Sequence, residues 1–350
     1  MMRYTVFGES HGPGVGVVLT GLPPGFAPDM EAVAQDMRRR APGNSPLATA
    51  RREADAVRIV SGLFNGITTG SPLCALIDNT DTRSGDYSLI PRPGHADFAA
   101  QARYRGFQDY RGGGHFSGRL TAPLVFAGSL AKQLLAERRI EIFAHIRSIG
   151  PVADAAPDPV NPDLAALRTL AGKELAVLDD GQGERMRAAV LAAREGSNSI
   201  GGTIRCLVCG LPAGHGGPDL DETLEGVLAR HLFAIPAVKG VEFGSGFALA
   251  AMHGSEANDA LVPDSAGHTR TRTNHNGGIN GGISNGMPLV FSVAFKPTPS
   301  IGLPQDSVDP VAGEAVRLEL RGRHDPCIVP RAVPVIEAAA ALALCAALGV

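Results

Sequence analysis

Glycine occupies 44 of the 350 positions, against the ~7% usual in globular chains, and no third-residue period organises it, so the excess is not that of a collagen-like helix. At this density glycine supplies tight turns and backbone amides that a ligand can approach closely. Much of it gathers in short polar words with His, Arg, Ser, Asp and Asn. At ~150 residues per domain the length corresponds to two or three domains, or to one large domain with insertions. No internal repeat or firm boundary stands out, and the chain reads as one domain over 1–350 with an exposed linker or insertion near 151–162, where Pro and Asp recur among small residues.

Acidic residues number 35 and basic residues 32, a net charge of -3. That balance excludes a general appetite for nucleic acid or an anionic membrane, so any anion must be bound at a local site. With 44% hydrophobic and 19% charged residues and a mean hydropathy of +0.05, the chain is apolar enough to build a sizeable core. The five cysteines are odd in number and scattered, and Met1 to Gly8 has neither an apolar core nor a cleavage site, which points to a reducing cytoplasm. Cys206 and Cys209 spell C-x-x-C, but they lie in a strand-like run with no second pair, so buried structural thiols are the better reading than zinc. The apolar run at 333–350 carries Glu337 and is otherwise mostly alanine, hence a buried or interface helix rather than a membrane span.

Helical spacing predicts helices over 29–40, capped by Asp29, and over 122–138, 162–175, 184–195, 221–232 and 331–348. Strand-like runs lie at 15–20, 73–77, 140–149, 202–211, 247–252 and 289–295. Without a regular strand–helix alternation this favours an α+β layered fold over a parallel doubly wound sheet. The Arg38-Arg39-Arg40 triplet falls at a helix C-terminus, where solvated charges that offset the helix dipole are the bland explanation.

Four segments concentrate chemistry: Gly8-Glu9-Ser10-His11-Gly12, Arg92-Pro93-Gly94-His95-Ala96-Asp97, Arg111-Gly112-Gly113-Gly114-His115-Phe116-Ser117-Gly118-Arg119, and Gly322-Arg323-His324-Asp325-Pro326. A fifth, from Asn274 to Gly286, is nearly all glycine and amide side chains. Gly8-x-Ser10-x-Gly12 imitates a hydrolase nucleophile elbow, but the strand and helix context is poor and no Asp-then-His order follows. There is neither a P-loop nor a dinucleotide fingerprint, and no histidine pairs as H-x-x-x-H, which leaves acid/base and phosphate-handling roles ahead of a metal site. Together the segments describe a cleft for a large, polyanionic, partly planar ligand, with glycine amides for phosphate and arginines for bidentate anion contacts.

These words, together with Gly281-Gly282-Ile283-Ser284-Asn285-Gly286 and Phe295-Lys296-Pro297-Thr298-Pro299-Ser300, occur in the order found in chorismate synthase and span most of the chain, which closely resembles that family. The resemblance implies an α+β sandwich of helices between antiparallel β-sheets, assembled as a homotetramer. It also implies the anti 1,4-elimination of phosphate from 5-enolpyruvylshikimate 3-phosphate to chorismate, with reduced FMN required although no net redox change occurs. In this likeness His11, assisted by Ser10, faces the departing phosphate, His95 sits near the flavin pyrimidine edge, and Asp325 belongs to proton traffic at the flavin. Ser117 joins them at the site.

FMN contacts are implied for His115, Phe116, Ser117, Pro236, Ala237, Gly281, Lys296, Pro297, Thr298, Pro299, Ser300 and Arg323, with Arg40 on the cofactor side as well. Substrate anions would meet Arg40, Arg52 and Arg119. The chain departs from the commoner pattern where many members read Arg-Ser-Ser-Ala-Arg-Glu-Thr after the glycine triplet: here the residues are His115 to Thr121, and only Ser117, Arg119 and Thr121 are kept. Proline stands at Pro236 in place of asparagine, leaving its carbonyl for the flavin. Pro46 replaces an arginine of the family's NADP contact, so the expectation is a cytoplasmic enzyme that draws reduced FMN from an external flavin reductase. The alternative is an FMN- or phosphometabolite-binding protein on the same scaffold without catalysis.

Overall fold

The computed structural model describes residues 2–350 apart from 44–46, 50, 52, 83–84, 86, 218 and 321–324. Pro46, Arg52 and Arg323 therefore lie outside the described residues. Two antiparallel sheets enclose a layer of helices, an α+β fold. The four-stranded sheet runs in the order Arg3–Gly8, Gly14–Thr20, Leu73–Asp78, Val57–Ser61. The five-stranded sheet runs Val238–Phe243, Leu289–Phe295, Gly202–Cys209, Glu141–Ile149, Val152–Ala153. Alternation places Val15, Val17 and Leu19 on the inner face of the first sheet beside Leu73, Ala75 and Ile77.

The helices Thr121–Glu137 and Val329–Ala347 lie in the middle layer, the first against the four-stranded sheet and the second against the five-stranded one. Both are apolar nearly all round, as helices covered on every side must be. Their approach is unusually close: a Cβ on Gly128 would come within 2.2 Å of the Ala338 Cβ. This is why the last helix is built of alanine, since interaxial distance follows side-chain size. Val329–Ala347 is long and apolar enough to cross a membrane by length and composition, but it is a core helix, 83% buried. It is therefore no interface helix.

Glu337 stands in that apolar helix because two cations meet it, both shared with Asp36. Its carboxylate accepts from Arg39 Nη1 and Nη2 at 2.7 and 2.9 Å and from Lys132 Nζ at 2.9 Å, while Asp36 bonds the same two cations at 3.1 and 3.0 Å. Burial pushes the Glu337 carboxyl up, but Arg39 and Lys132 outweigh it and bring it down to about 2. The arginine triplet is thus not a solvated run. Only Arg38, paired with exposed Glu31, fits that description, while Arg39 enters the core and Arg40 the cavity described below.

Other elements differ from the sequence reading. The run at 247–252 is a short 3-10 turn, Gly246–Ala251, because Gly244 and Gly246 take left-handed φ of 56° and 53° and turn the chain out of the sheet. The helix expected at 162–175 is interrupted, as Leu164–Thr169 followed by a 3-10 turn at Leu170–Gly172. The segment near 151–162 is exposed in part but not loose. Val152–Ala153 pairs with the sheet edge, and the fully buried Asp154 carboxylate accepts from His145 Nδ1 and from the Leu178 and Asp179 amides.

Glu337→Ala leaves Arg39 and Lys132 buried with one carboxylate between them, and should lower unfolding stability by about 3–5 kcal/mol, read from urea midpoints at pH 7. Because the folded carboxyl lies at about 2, below its ordinary ~4.3, its contribution is present above pH ~4.3 and is lost as pH falls towards 2. Glu337→Gln should flatten that acid limb. An unchanged limb would remove Glu337 from the acid response.

Candidate active site

A cavity of about 830 Å³ opens between the edge of the four-stranded sheet and the helix layer. Four of the five chemistry-bearing words converge on it, through His11, through Arg92 to Ala96, through Gly112 and His115 to Arg119, and through Asp325. The fifth does not. Asp259 accepts from the backbone and side chain of Asn276 and the amide of His275, Asn274 is spent on the Pro159 and Pro288 carbonyls, and the hairpin Ile279–Asn280/Ile283–Ser284 carries Gly281 away from the cavity lining. Within this chain those amides hold a knot rather than a ligand.

The glycine triplet has a specific task. Gly112, Gly113 and Gly114 take φ of 60°, 86° and 53°, and the backbone runs flat beneath two imidazoles. A Cβ on Gly112 would lie 2.4 Å from His11 Cδ2, and one on Gly113 2.6 Å from His95 Cε1. Ser10 secures the same turn: its Oγ donates to the Gly112 carbonyl at 3.1 Å and its amide to Gly114 at 3.1 Å. Ser10 is fully buried and absent from the cavity lining, so its hydroxyl positions the turn instead of facing the cavity.

His11 lies edge-on to Tyr87, ring centroids 5.1 Å apart. Burial first, then the Arg51 and Arg111 charges, push its pKa down against Asp109 and Glu53. It is therefore neutral near pH 7 in the free protein. His95 Nδ1 lies 2.5 Å from Asp97 Oδ1, and Asp97 also receives Arg92 Nε at 2.7 Å and Nη2 at 2.9 Å. Burial would raise the Asp97 carboxyl, but the bonds from Arg92 and His95 hold it well below the usual range. An ionised Asp97 accepts the Nδ1 proton, which leaves His95 Nε2 without a partner among the described residues. Arg92 continues to Ser300 Oγ at 3.2 Å and stacks over Tyr87 at 5.2 Å.

The cavity is cationic although the chain is not. Arg40, Arg51, Arg92, Arg119, Arg331, Lys239 and Lys296 line it against Glu53 and Asp325. Arg40 and Arg119 are buried and share one carboxylate, that of Asp55, itself fully buried: Arg40 Nη1 at 2.5 Å from Oδ2, Arg119 Nη1 on Oδ1. Arg40 also donates to Thr121 Oγ1 at 3.1 Å and Arg119 to Asn79 Oδ1 at 2.9 Å, while Glu53 lies 3.1 Å from Arg119 Nη1. Burial brings Arg40 down to about 10 despite Asp55, so it stays charged at neutral pH. Asp325 is clamped by Arg331 Nη1 at 2.9 and 2.7 Å and by the Thr49 amide at 2.9 Å.

On the opposite side Lys296 Nζ donates to the Gly94 carbonyl, and burial with nearby Lys239 lowers its pKa. Thr298 Oγ1 is buried on the cavity wall with no partner among the described residues. Pro299 and Ser300 also line the wall, whereas Pro297 turns outward over Gly201. Ile235, Pro236, Ala237, Val238 and Phe295 make an apolar flank. Ala237 takes a strained φ of 73°, and its carbonyl accepts the Lys296 amide at 3.0 Å. His115 Nδ1 bonds the Gly8 carbonyl at 3.0 Å, Phe116 is exposed, and Ser117 Oγ accepts the Arg119 amide at 3.3 Å. The sequence reading gave no role to Glu53, Asp55, Tyr87 or Arg331, and weighed Arg51 only as a stand-in for the arginine that Pro46 replaces. The alternation Arg51-x-Glu53-x-Asp55 was the available signal, since charges two apart in extended chain face one side.

Fold and site define a class: a helix layer between antiparallel sheets with a large cavity lined by cations. A family model described as chorismate synthase matches residues 2–348. Chorismate synthases of Thermococcus gammatolerans and Synechocystis sp. are 48% and 43% identical to the chain, covering 98% and 99% of it and 95% and 94% of their own lengths. A solved structure, "Crystal Structure of Chorismate Synthase", superposes with a TM-score of 0.79 at 28% identity, over 99% of this chain and 91% of that one. The chain belongs to the chorismate synthase family, and so to enzymes that act on a small-molecule substrate.

Gly113→Ala forces a Cβ against the His95 ring at a left-handed φ, which costs about 1–2 kcal/mol in backbone strain alone. It should cut turnover more than tenfold while the far-UV circular dichroism stays that of the parent. A Gly113→Ala protein with parental turnover would mean that the His95 seat is not needed.

Proposed function

We propose that the chain is a lyase that removes phosphate from 5-enolpyruvylshikimate 3-phosphate by anti 1,4-elimination, giving chorismate in the last step of the shikimate pathway, with reduced FMN in the same cavity. The observation that carries this reading is the seating of His11 and His95 on adjacent glycines, at a cationic wall opposite an apolar one. The residues present fit the cofactor. Thr298 offers a buried, unpartnered hydroxyl beside Lys296 for a phosphate, and Pro236 and Ala237 offer an apolar edge and carbonyls for a ring. When bound, reduced FMN supplies electron density that weakens the allylic carbon–oxygen bond.

The elimination breaks one carbon–hydrogen and one carbon–oxygen bond with no net redox change, so the protein must accept a proton and meet the charge of a departing phosphate. His11, neutral beforehand, takes up a proton as that charge builds beside it, and the resulting imidazolium stabilises the leaving group. Asp325, clamped by Arg331 and the Thr49 amide, lines the cavity, where the resemblance places proton traffic. Asp97 fixes the His95 ring so that Nε2 carries or accepts a proton on the cofactor side. The arginines orient the substrate, and the apolar flank excludes water.

The five thiols are unpaired, which supports a cytoplasmic enzyme. Exposed Phe98, Phe107 and Phe247, together with the outer strand Arg3–Gly8, support assembly as a homotetramer.

Anaerobic assay with dithionite-reduced FMN and the enolpyruvyl substrate should give chorismate, and His11→Ala should lower turnover by about a hundredfold or more with the fold intact. FMN binding without chorismate would favour a flavin- or phosphometabolite-binding protein on the same scaffold. In a second assay, oxidised FMN and NADPH without a reductase should give no sustained turnover. Arg40 is already committed to Asp55, Thr121 and the Gly118 carbonyl, and has little left for a nicotinamide phosphate. Chorismate formation at the dithionite rate would show that the protein reduces its own flavin.

A further inference from the structure

One side chain outside the five words joins two residues that the cavity brings together. Asn79 follows directly on the strand Leu73–Asp78, whose register sets Gly14 against Asp78, so the Asn79 amide continues the ladder onto the Pro13 carbonyl at 3.1 Å. The sheet thereby places Asn79 beside the turn that carries His11. That turn is closed by the Gly12 amide on the Glu9 carbonyl at 3.1 Å, with Ser10 and His11 at its corners. Asn79 Nδ2 donates to both of its ends, to the Glu9 and Gly12 carbonyls at 2.9 Å each, while Asn79 Oδ1 accepts from Arg119 Nε at 2.9 Å. The preceding carbonyl, that of Asp78, accepts from Arg119 Nη2 at 3.2 Å. Only one orientation of the amide suits these partners, since a flipped group would set its oxygen against two carbonyl oxygens and its N–H groups against a guanidinium. Ser10 pins the turn to the glycine triplet, and Asn79 grips its two ends. Asn79 itself does not line the cavity.

We propose that Asn79 is a positioning residue that fixes the His11 turn and Arg119 relative to one another, its N–H groups holding the turn and its oxygen holding the guanidinium. For its effect on turnover this rests on the elimination proposed above. That reaction needs the His11 imidazole and the arginine that the resemblance gives to a substrate anion in one fixed geometry, and a misplacement of about 1 Å costs roughly a hundredfold in rate. The two links are chemically separable. An aspartate at 79 keeps an acceptor for Arg119 but loses both donors, and it turns a carboxylate towards the Glu9 and Gly12 carbonyls; an alanine loses both links. The turn also sets the surroundings of His11. Burial is the largest influence holding its pKa down, with Arg51 and Arg111 acting the same way, Asp109 and Glu53 acting against them, and the Tyr87 ring edge-on. A loosened turn admits water to the imidazole, so its pKa rises towards the ordinary ~6.5.

The test pairs anaerobic chorismate assays of the full-length protein with a pH titration of the His11 ring resonance. Asn79→Asp should lower kcat more than about tenfold while KM for the enolpyruvyl substrate stays within about twofold of the parent, because Arg119 remains seated. Asn79→Ala should lower kcat as far and also raise KM by about threefold or more. A general loss of stability would not split the two variants in this way, since it lowers the fraction of active protein and leaves KM alike in both. The His11 ring should titrate at higher pH in Asn79→Ala than in the parent. Parental titration of His11 in a folded Asn79→Ala protein overturns the proposal. If that variant does not fold, parental titration in Asn79→Asp overturns it equally, because a loosened turn and an added carboxylate would both raise the His11 pKa. A parent protein that forms no chorismate overturns the elimination reading, and the His11 titration then decides the role of Asn79 by itself.

Discussion

The carboxylate of Asp55 lets two arginines be buried on the cavity wall. A guanidinium removed from water without a counter-charge is held at a cost of several kcal/mol, and here one fully buried carboxylate offsets two of them, with Glu53 taking a further share of Arg119. The compensation stops short of neutrality, and the residual positive charge faces the cavity. It also ties the cavity to the core. Arg40 bonds Thr121, where the central helix Thr121–Glu137 begins, and its neighbour Arg39 bonds Glu337 in the other central helix. Two adjacent residues at the end of Met30–Arg40 thus serve the site and the helix layer at once.

A chain of net charge -3 thereby holds a cationic cavity. The cations are concentrated in one concave place where the surrounding protein lowers the dielectric, so a few of them outweigh the diffuse excess of acid elsewhere. The acidic partners inside the site are few and each is occupied: Asp97 by Arg92 and His95, Asp325 by Arg331, Asp55 and Glu53 by Arg40, Arg51 and Arg119. They aim the cations and do not cancel them.

What could be read in the sequence follows from which physics is local. The Asp29 cap, the alternating Val15, Val17 and Leu19, and the alanine-rich last helix declare themselves through short-range periodicity, and the structure has all three. The α+β layering was legible for the same reason. Contacts distant in sequence were not. Nothing near Gly112 and Gly113 announces that His11 and His95 will lie on their α-carbons, and nothing near Glu337 announces Arg39 and Lys132, because each depends on how remote segments pack. The amide-rich word at Asn274 was opaque for the converse reason: its composition suits a ligand, but Asp259, outside the word, takes the donors of His275 and Asn276.

The departures after the glycine triplet acquire a physical order once the bonds are known. The three residues kept from the commoner pattern are those with internal work: Ser117 accepts the Arg119 amide, Arg119 enters the carboxylate pair, and Thr121 accepts from Arg40 Nε and donates to the Gly118 carbonyl at 2.6 Å. The altered positions carry no buried polar bond. His115 and Phe116 are exposed, a Cβ at Gly118 would meet nothing within 4 Å, and Leu120 is an apolar residue of the core. Substitution at such positions changes what the cavity rim offers a ligand while leaving the arginine geometry beneath it intact, since none of these side chains bonds to Arg40, Asp55 or Arg119. The scaffold that aims the charges is therefore separable from the exposed rim above it.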